Sequence, residues 1–195
     1  PRLGTNPICI AMPSNLDGPI FIDAATSAVA AGKLSVAVAK GSSIPEGWIL
    51  DSSGNPTTDP NDLELGGAML PLGGPEGHKG YGLSVMVEIF SGILTGLGFG
   101  SETSERHNDG CFMAAFNVEA FRPLKDFKRE VTEFASYLKS SPPGAGFSEV
   151  YYPGELEYIR THRLLKEGIS IDETTWGKLK SLAVKNNLAD ELEFS

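Results

Sequence analysis

Residues 70–100 constrain the fold more than any other part of the sequence, because a loop rich in glycine and proline leads there into a long apolar run. The loop, residues 73–82, has a backbone that can adopt positive φ angles and approach a ligand closely. Apolar residues recur at helical spacing over 83–97, which predicts a largely buried helix. A glycine-rich loop before a helix presents free N–H groups, and Lys79 adds a full positive charge. The segment therefore predicts either an anion site or a lysine on a tight turn before a core helix.

Neither of two familiar phosphate-binding motifs is present in this loop. A P-loop requires Ser or Thr after its lysine, whereas Gly80 follows Lys79. The fingerprint G-x-G-x-x-G begins at Gly80 and Gly82 but has Val85 where its third glycine should be. A nucleotide bound here would therefore be held by another architecture.

Composition excludes several classes of function. The 195 residues carry a net charge of −9, so we expect no nucleic-acid partner. The two cysteines are too few and too far apart for a zinc knuckle or a disulfide framework, which predicts a cytoplasmic protein without a metal. The apolar run at 83–97 is too short to span a bilayer, so we expect no membrane partner. No G-x-S-x-G elbow is present to support a nucleophilic serine.

The N-terminal part reads as two strands followed by a helix. Residues 8–13 and 19–23 are apolar and predict buried strands. The small residues after them predict a helix over 25–40, with Asp23 or Thr26 as its cap. Small side chains at 24–31 permit close approach by a ligand or by another helix, so a binding site and a tightly packed alanine helix both remain open.

Further segments complete an α/β pattern. The predicted elements are strands at 47–51 and 111–117, an amphipathic helix at 126–140, a polar helix at 155–168, an edge strand at 169–171, and a last helix at 175–186 capped by Asp172 or Thr174. Of the three histidines, His78 is of most interest because it precedes the central helix. This reasoning reaches an α/β protein with an anion-binding loop, but no reaction.

Five stretches carry a resemblance to a known family. They are Gly4-Thr5-Asn6-Pro7, Asp23-Ala24-Ala25-Thr26-Ser27 with Gly32-Lys33, Gly54-Asn55-Pro56-Thr57-Thr58-Asp59-Pro60, Gly77-His78-Lys79-Gly80-Tyr81-Gly82-Leu83 and Tyr152-Pro153-Gly154-Glu155. In this order the stretches resemble the malate/L-lactate dehydrogenase family of NAD(P)-dependent oxidoreductases. That family also includes ureidoglycolate, sulfolactate and diketogulonate enzymes, and the resemblance covers nearly the whole chain.

The resemblance implies a fold and a cofactor site. The fold would be a family-specific, non-Rossmann α/β fold with a mixed, largely antiparallel sheet flanked by helices, plus C-terminal helices. Residues 1–122 would form a cofactor-binding domain lacking its N-terminal part, and 123–195 a helical region that closes the site and a homodimer. The resemblance assigns the binding of NAD or NADP to Ile22, Asp23, Ala24, Ala25, Thr26, Ser27, His78, Lys79, Gly154 and Glu155.

The implied reaction is reversible hydride transfer between the nicotinamide ring and a 2-hydroxy acid such as malate or lactate, which becomes the 2-keto acid. In the family the acid/base histidine and the arginine that binds the substrate carboxylate precede the Gly-Thr-Asn-Pro turn. No position here matches them, so we assign no catalytic residue and expect a C-terminal fragment that is inactive alone. The family's late-loop histidine is also missing, because Cys111 follows Asn108-Asp109-Gly110.

Two alternatives stay open. The substrate could be a different hydroxy acid, such as ureidoglycolate or a sugar-derived acid. The chain could also be a non-catalytic dimerisation or nucleotide-binding remnant.

Overall fold

The computed structural model describes residues 1–100 and 110–188, and in these ranges it contains five β-strands and five α-helices. The strands are β1 (Ile8–Met12), β2 (Ile20–Ala24), β3 (Ile49–Leu50), β4 (Pro56–Thr57) and β5 (Ala68–Met69). The helices are α1 (Ala31–Lys40), α2 (His78–Glu88), α3 (Leu124–Lys139), α4 (Glu155–Glu167) and α5 (Glu173–Lys185). The chain divides into two compact units, Pro1–Glu155 and a second that starts at Leu156. The functional boundary expected after residue 122 stays a prediction.

β1 and β2 form an antiparallel hairpin, which confirms the two predicted strands. Ile8 lies opposite Ala24, and Met12 lies opposite Ile20. The expectation that these strands are buried is wrong for the chain as described, because Ile10 is 49% exposed and Ile22 is 50% exposed. Apolar residues on both faces favour burial, but the described residues cover the hairpin only in part.

The buried core lies between α1 and a small second sheet. Its members share near-complete burial, and they are Val29, Leu34, Ala37, Ile44 and Ile49, with Trp48, Leu63 and Met69 packed against them. The second sheet has the order β4–β3–β5, and both of its strand pairs are antiparallel. The sheets of the described residues therefore agree with the antiparallel architecture expected from the resemblance.

The first helix begins later than predicted. α1 starts at Ala31, and its N-cap residue Ala30 has extended backbone angles and no side-chain cap, so neither Asp23 nor Thr26 caps it. The Thr26 N–H donates to the Thr5 carbonyl at 2.9 Å, and the Ala28 N–H donates to the Leu70 carbonyl at 2.7 Å. These long-range bonds engage backbone N–H groups of 26–28, which is why the small residues there do not join the helix.

The central apolar run is helical, as predicted, but it is not buried. α2 continues through a π-helical turn at Ile89–Ile93. Met86 is 48% exposed, and Leu94 is 62% exposed. Periodicity indicates which side chains favour burial but not what covers them, and the rest of the described chain leaves this face open.

Two predicted strands are absent from the described residues. Residues 111–117 are irregular and exposed rather than a core strand, and Phe112 stacks on Phe90 with ring centroids 4.8 Å apart. Residues 169–171 are irregular as well. β-propensity expresses fit to a pleated surface, and neither segment has a strand partner within the described ranges.

The three later helices confirm their predictions to within a few residues. α3 and α4 match the predicted helices at 126–140 and 155–168. α5 is capped by Asp172, whose carboxylate accepts the Thr175 N–H at 2.8 Å. Within residues 1–100 and 110–188, no helix combines the length and the apolar character that crossing a bilayer requires.

Candidate functional site

Residues 22–27 and the turn before α2 lie close to one another. Leu70 and Leu72 join them, because the Leu72 N–H donates to the Thr26 carbonyl at 2.9 Å and Ser27 forms a β-bridge with Pro71. On the other side of Leu72 lies Gly80, where a Cβ atom would stand 2.7 Å from the Leu72 nitrogen. Residues 70–72 therefore contact both the segment 22–27 and the start of α2, two of the three segments that the resemblance assigns to a dinucleotide.

The hydroxyl groups of residues 22–27 have structural partners. The Thr26 side chain is 1% exposed and donates to the Asn6 carbonyl at 2.9 Å. The Ser27 hydroxyl donates to the Val29 carbonyl at 2.7 Å. The accessible surface of the segment is contributed by the residues before Thr26, since Ile22 and Asp23 are exposed and Ala24 and Ala25 are half-buried.

His78 and Lys79 are exposed at the start of α2, and Lys79 carries a positive charge there. No side chain caps the N-terminus of this helix, so its first N–H groups carry the positive end of the helix dipole. The Glu76 carboxylate lies 3.6 Å from the Lys79 ammonium and 3.7 Å from His78 Nδ1. All three side chains are well exposed, so this ion pair is weak and leaves Lys79 accessible to an anionic ligand.

The turn at Gly154 brings the third assigned segment to β2. The Phe21 N–H, next to Ile22, donates to the Pro153 carbonyl at 3.2 Å. Gly154 has a φ of +95°, and a Cβ atom there would stand 2.7 Å from the Phe21 ring. Only glycine fits this left-handed and crowded position. The turn before α2 and the turn at 154 therefore each adjoin residues 21–28, the first through residues 70–72 and the second through Phe21.

The Glu155 carboxylate is already engaged. It accepts a hydrogen bond from the Lys139 ammonium and another, 3.2 Å long, from the Tyr152 N–H. The hydrogen bond between Lys139 and Glu155 raises the pKa of Lys139. The hydrogen bond between Tyr151 and Glu149 raises the pKa of Tyr151. Lys139 is therefore charged at neutral pH.

Sequence reasoning missed three side chains that support this site: Asn6, Glu88 and Lys139. The Asn6 amide donates to Glu88 at 2.8 Å, and Glu88 also accepts the Gly100 N–H at 2.6 Å. Asn6 was recognised as part of a motif, but its partner Glu88 gave no signal beyond one charge in an apolar helix. Lys139 gave no signal at all, because its partner Glu155 is distant in the sequence.

Metal ligands do not converge in the part of the chain that the structure describes, where no group of three His, Cys, Asp or Glu side chains could hold an ion. Asn108 and Asp109, where the family's late-loop histidine was expected to follow, lie outside the described residues.

The fold and the contacts among these segments define the class of protein. This is an α/β protein with small antiparallel sheets, in which residues 70–72 contact both 26–28 and Gly80, and the glycine turn at 154 contacts β2. Residues 1–180 match the family described as malate/L-lactate dehydrogenase. The chain belongs to that family.

Known relatives agree with this assignment. The chain is 41% identical over 189 residues to the malate dehydrogenase of Pyrococcus horikoshii, covering 93% of this chain and 52% of the relative. It is 35% identical over 190 residues to the ureidoglycolate dehydrogenase (NAD(+)) of Escherichia coli K12, covering 94% of this chain and 53% of the relative. The crystal structure of the malate dehydrogenase from Entamoeba histolytica matches 100% of this chain and 57% of its own, with a TM-score of 0.85 and 29% identity.

The comparisons also relate the length of the chain to that of its relatives. It spans about half the length of the relatives that it matches. The non-Rossmann α/β fold expected from the resemblance is confirmed, since the matched structures are malate and sulfolactate dehydrogenases. The binding roles of the ten assigned residues stay predictions.

Proposed function

We propose that this chain forms the dinucleotide-binding part of an NAD(P)-dependent oxidoreductase that interconverts a 2-hydroxy acid and its 2-keto acid. One observation carries the proposal. The segments 78–79 and 154–155 lie far from 22–27 in the sequence, but each adjoins it in the fold, the first through Leu72 and the second through the bond between Phe21 and Pro153.

The residues present fit a nicotinamide dinucleotide. Lys79 and the uncapped N-terminus of α2 would bind the negatively charged diphosphate, because a charge-assisted contact and a helix dipole both favour an anion there. Ile22 and Asp23, which are exposed, and the small, half-buried Ala24 and Ala25 would offer an accessible surface to the rest of the cofactor. When bound, the cofactor supplies the hydride chemistry, and these residues orient it.

The substrate is proposed only as a class. The names of the relatives include malate and ureidoglycolate dehydrogenases, so we propose a 2-hydroxy acid without naming one. The E. coli relative is named for NAD(+), which favours that cofactor here. Because no position matches the family's acid/base histidine, we propose that the 195-residue chain alone binds cofactor without turning over substrate.

Fluorescence titration with NADH tests the proposal. The variants are the unmodified chain, Lys79→Ala, and Lys125→Ala as a control at an exposed lysine on α3. We expect Lys79→Ala to weaken NADH affinity about tenfold, as the loss of one charge-assisted contact would, and Lys125→Ala to leave it unchanged. Absence of NADH binding by the unmodified chain, or equal affinity in all three proteins, would contradict the proposal.

A second candidate is a non-catalytic association module. It is favoured by the exposed apolar side chains of α2 and of the turn after it, including Met86, Phe90 and Ile93. A mass measurement by light scattering, combined with the NADH titration, separates the two, because a pure association module would assemble without binding NADH. The homodimer expected from the resemblance and the cytoplasmic location expected from the cysteine content stay predictions.

A further inference from the structure

The turn at 152–155 is closed by reciprocal hydrogen bonds. The Glu155 N–H donates to the Tyr152 carbonyl at 3.1 Å, and the Glu155 carboxylate accepts the Tyr152 N–H at 3.2 Å. This arrangement fixes the Pro153 carbonyl and Gly154 between its two ends. The same Pro153 carbonyl accepts the Phe21 N–H, so the conformation of the turn decides how it meets β2.

One cation holds the second oxygen of Glu155. Lys139, the last residue of α3, donates to Glu155 and lies 3.6 Å from the Glu149 carboxylate. Its ammonium also lies 5.5 Å from the centre of the Tyr151 ring and 6.0 Å from that of Tyr152. The Glu155 side chain is only 14% exposed, and Lys139 places a positive charge beside its carboxylate.

We propose that Lys139 is a positioning residue for the dinucleotide site. By pairing with Glu155 it holds the 152–155 turn closed, keeps the Pro153 carbonyl on the Phe21 N–H, and so fixes Gly154 against Phe21, the neighbour of Ile22 in β2. The inference rests on the proposed function for its ligand, while the contact between the turn and β2 can be measured without one. In this role Lys139 acts through Glu155, with which it forms a hydrogen bond.

Four variants of the full chain separate positioning from simple stability. Lys139→Met removes the charge and keeps the length, Lys139→Arg keeps the charge, and Glu155→Gln keeps an acceptor for the Tyr152 N–H but loses the ion pair. Lys125→Ala is the control on the same helix. For each we measure NADH affinity by fluorescence, hydrogen exchange at the Phe21 amide, and Tm.

We expect Lys139→Met and Glu155→Gln each to weaken NADH affinity about fivefold and to speed exchange at the Phe21 amide. The double variant Lys139→Met/Glu155→Gln should lose little more NADH affinity than either single variant, because both substitutions remove the same ion pair. Lys139→Arg should restore both readouts, and Lys125→Ala should change neither. A purely structural ion pair would instead lower Tm while leaving NADH affinity and Phe21 exchange unchanged at a temperature where every variant is folded, and that result would overturn the proposal.

Failure of the proposed function gives a different pattern. If the unmodified chain does not bind NADH, the dinucleotide assignment fails, and with it the role of Lys139 toward that ligand. Phe21 exchange then still decides whether Lys139 holds the turn on β2. Normal NADH binding with no effect of Lys139→Met on affinity overturns the positioning role alone.

Discussion

The side-chain amide of Asn6 donates a 2.8 Å hydrogen bond to the carboxylate of Glu88, which joins the N-terminal turn to the end of α2. Asn6 adopts a left-handed backbone with a φ of +38°, and its carbonyl accepts the buried hydroxyl of Thr26. The other carboxylate oxygen of Glu88 accepts the Gly100 N–H. Asn6 therefore connects Thr26, in the segment 22–27 of the candidate site, to α2.

We expect Asn6→Ala to destabilise the chain by about 1–2 kcal/mol, because it leaves a half-buried carboxylate short of one donor. Asn6→Gly lacks the same amide but tolerates the positive φ, so it should lose less than Asn6→Ala does. Urea unfolding followed by circular dichroism measures both free energies of unfolding. Equal and negligible losses would show that the Asn6–Glu88 bond contributes nothing to stability.

Two glycines of α2 should respond oppositely to alanine. A Cβ atom at Gly80 would collide with the Leu72 backbone, whereas at Gly82 no heavy atom lies within 4 Å. Gly80→Ala should therefore cost about 2–3 kcal/mol or more, through forced displacement of packed backbone. Gly82→Ala should be neutral or stabilising by about 0.5–1 kcal/mol, because alanine favours the helix. Thermal unfolding of the two variants checks this contrast, and similar Tm values would contradict the contact between α2 and the 70–72 segment.

Gly154 and Gly168 form a second matched pair. Both have positive φ angles, +95° and +81°, but only Gly154 faces the Phe21 ring. Alanine at either position incurs backbone strain, so the difference between Gly154→Ala and Gly168→Ala isolates the contact with β2. We expect Gly154→Ala to weaken NADH affinity and Gly168→Ala to leave it unchanged, as measured by fluorescence titration. Equal NADH affinities of the two variants would indicate that the turn at Gly154 does not contribute to NADH binding.

Local sequence patterns predicted much of the fold. The β1–β2 pair, the amphipathic helix α3 and the Asp172 cap of α5 all follow from periodicity and capping chemistry that act over a few residues. The segments of the candidate site were also identified, but by their resemblance to a family rather than by their chemistry. Spacing alone left the loop before α2 open between an anion site and a plain turn.

What the sequence could not predict depends on distant partners. The helix predicted to begin at residue 25 begins at Ala31, because the backbone of Thr26 pairs with Thr5 and Leu72 instead of with its own neighbours. The pairing of Lys139 with Glu155 was missed for the same reason. Burial of 83–97 was predicted from apolar periodicity, which carries no information about the surface that would cover it.

The ion pair at the start of α2 predicts that the Glu76 carboxylate competes with an anionic ligand for Lys79. Glu76 lies within 3.7 Å of both His78 and Lys79, so its carboxylate opposes any anion that approaches them. We expect Glu76→Gln to strengthen NADH binding about twofold at low ionic strength, with the gain fading as salt is added because the groups are exposed. Glu64→Gln, at another exposed carboxylate, is the control for net charge. A weaker affinity in Glu76→Gln would instead indicate that Glu76 contacts the ligand directly.

The last prediction concerns acid stability at the start of α3. The Arg122 guanidinium donates two hydrogen bonds to Glu130, 2.7 and 2.6 Å long, and they hold the pKa of Glu130 below its ordinary value of 4.5. The unfolded chain binds this proton at higher pH than the folded chain does, so protonation favours unfolding. The stabilising contribution of Glu130 is therefore complete above about pH 4.5 and is lost as pH falls through the lowered pKa.

Thermal unfolding from neutral pH down to pH 3 measures this effect. The Tm of Glu130→Gln should lie below that of the unmodified chain at neutral pH, and the two should converge in acid, where both side chains are uncharged. Glu119→Gln, at an exposed carboxylate nearby, should show a Tm difference that does not follow this course. A constant gap between Glu130→Gln and the unmodified chain across the whole range would mean that the pair with Arg122 is not the source of the lowered pKa, since a titrating contact must lose its effect once its carboxylate is protonated.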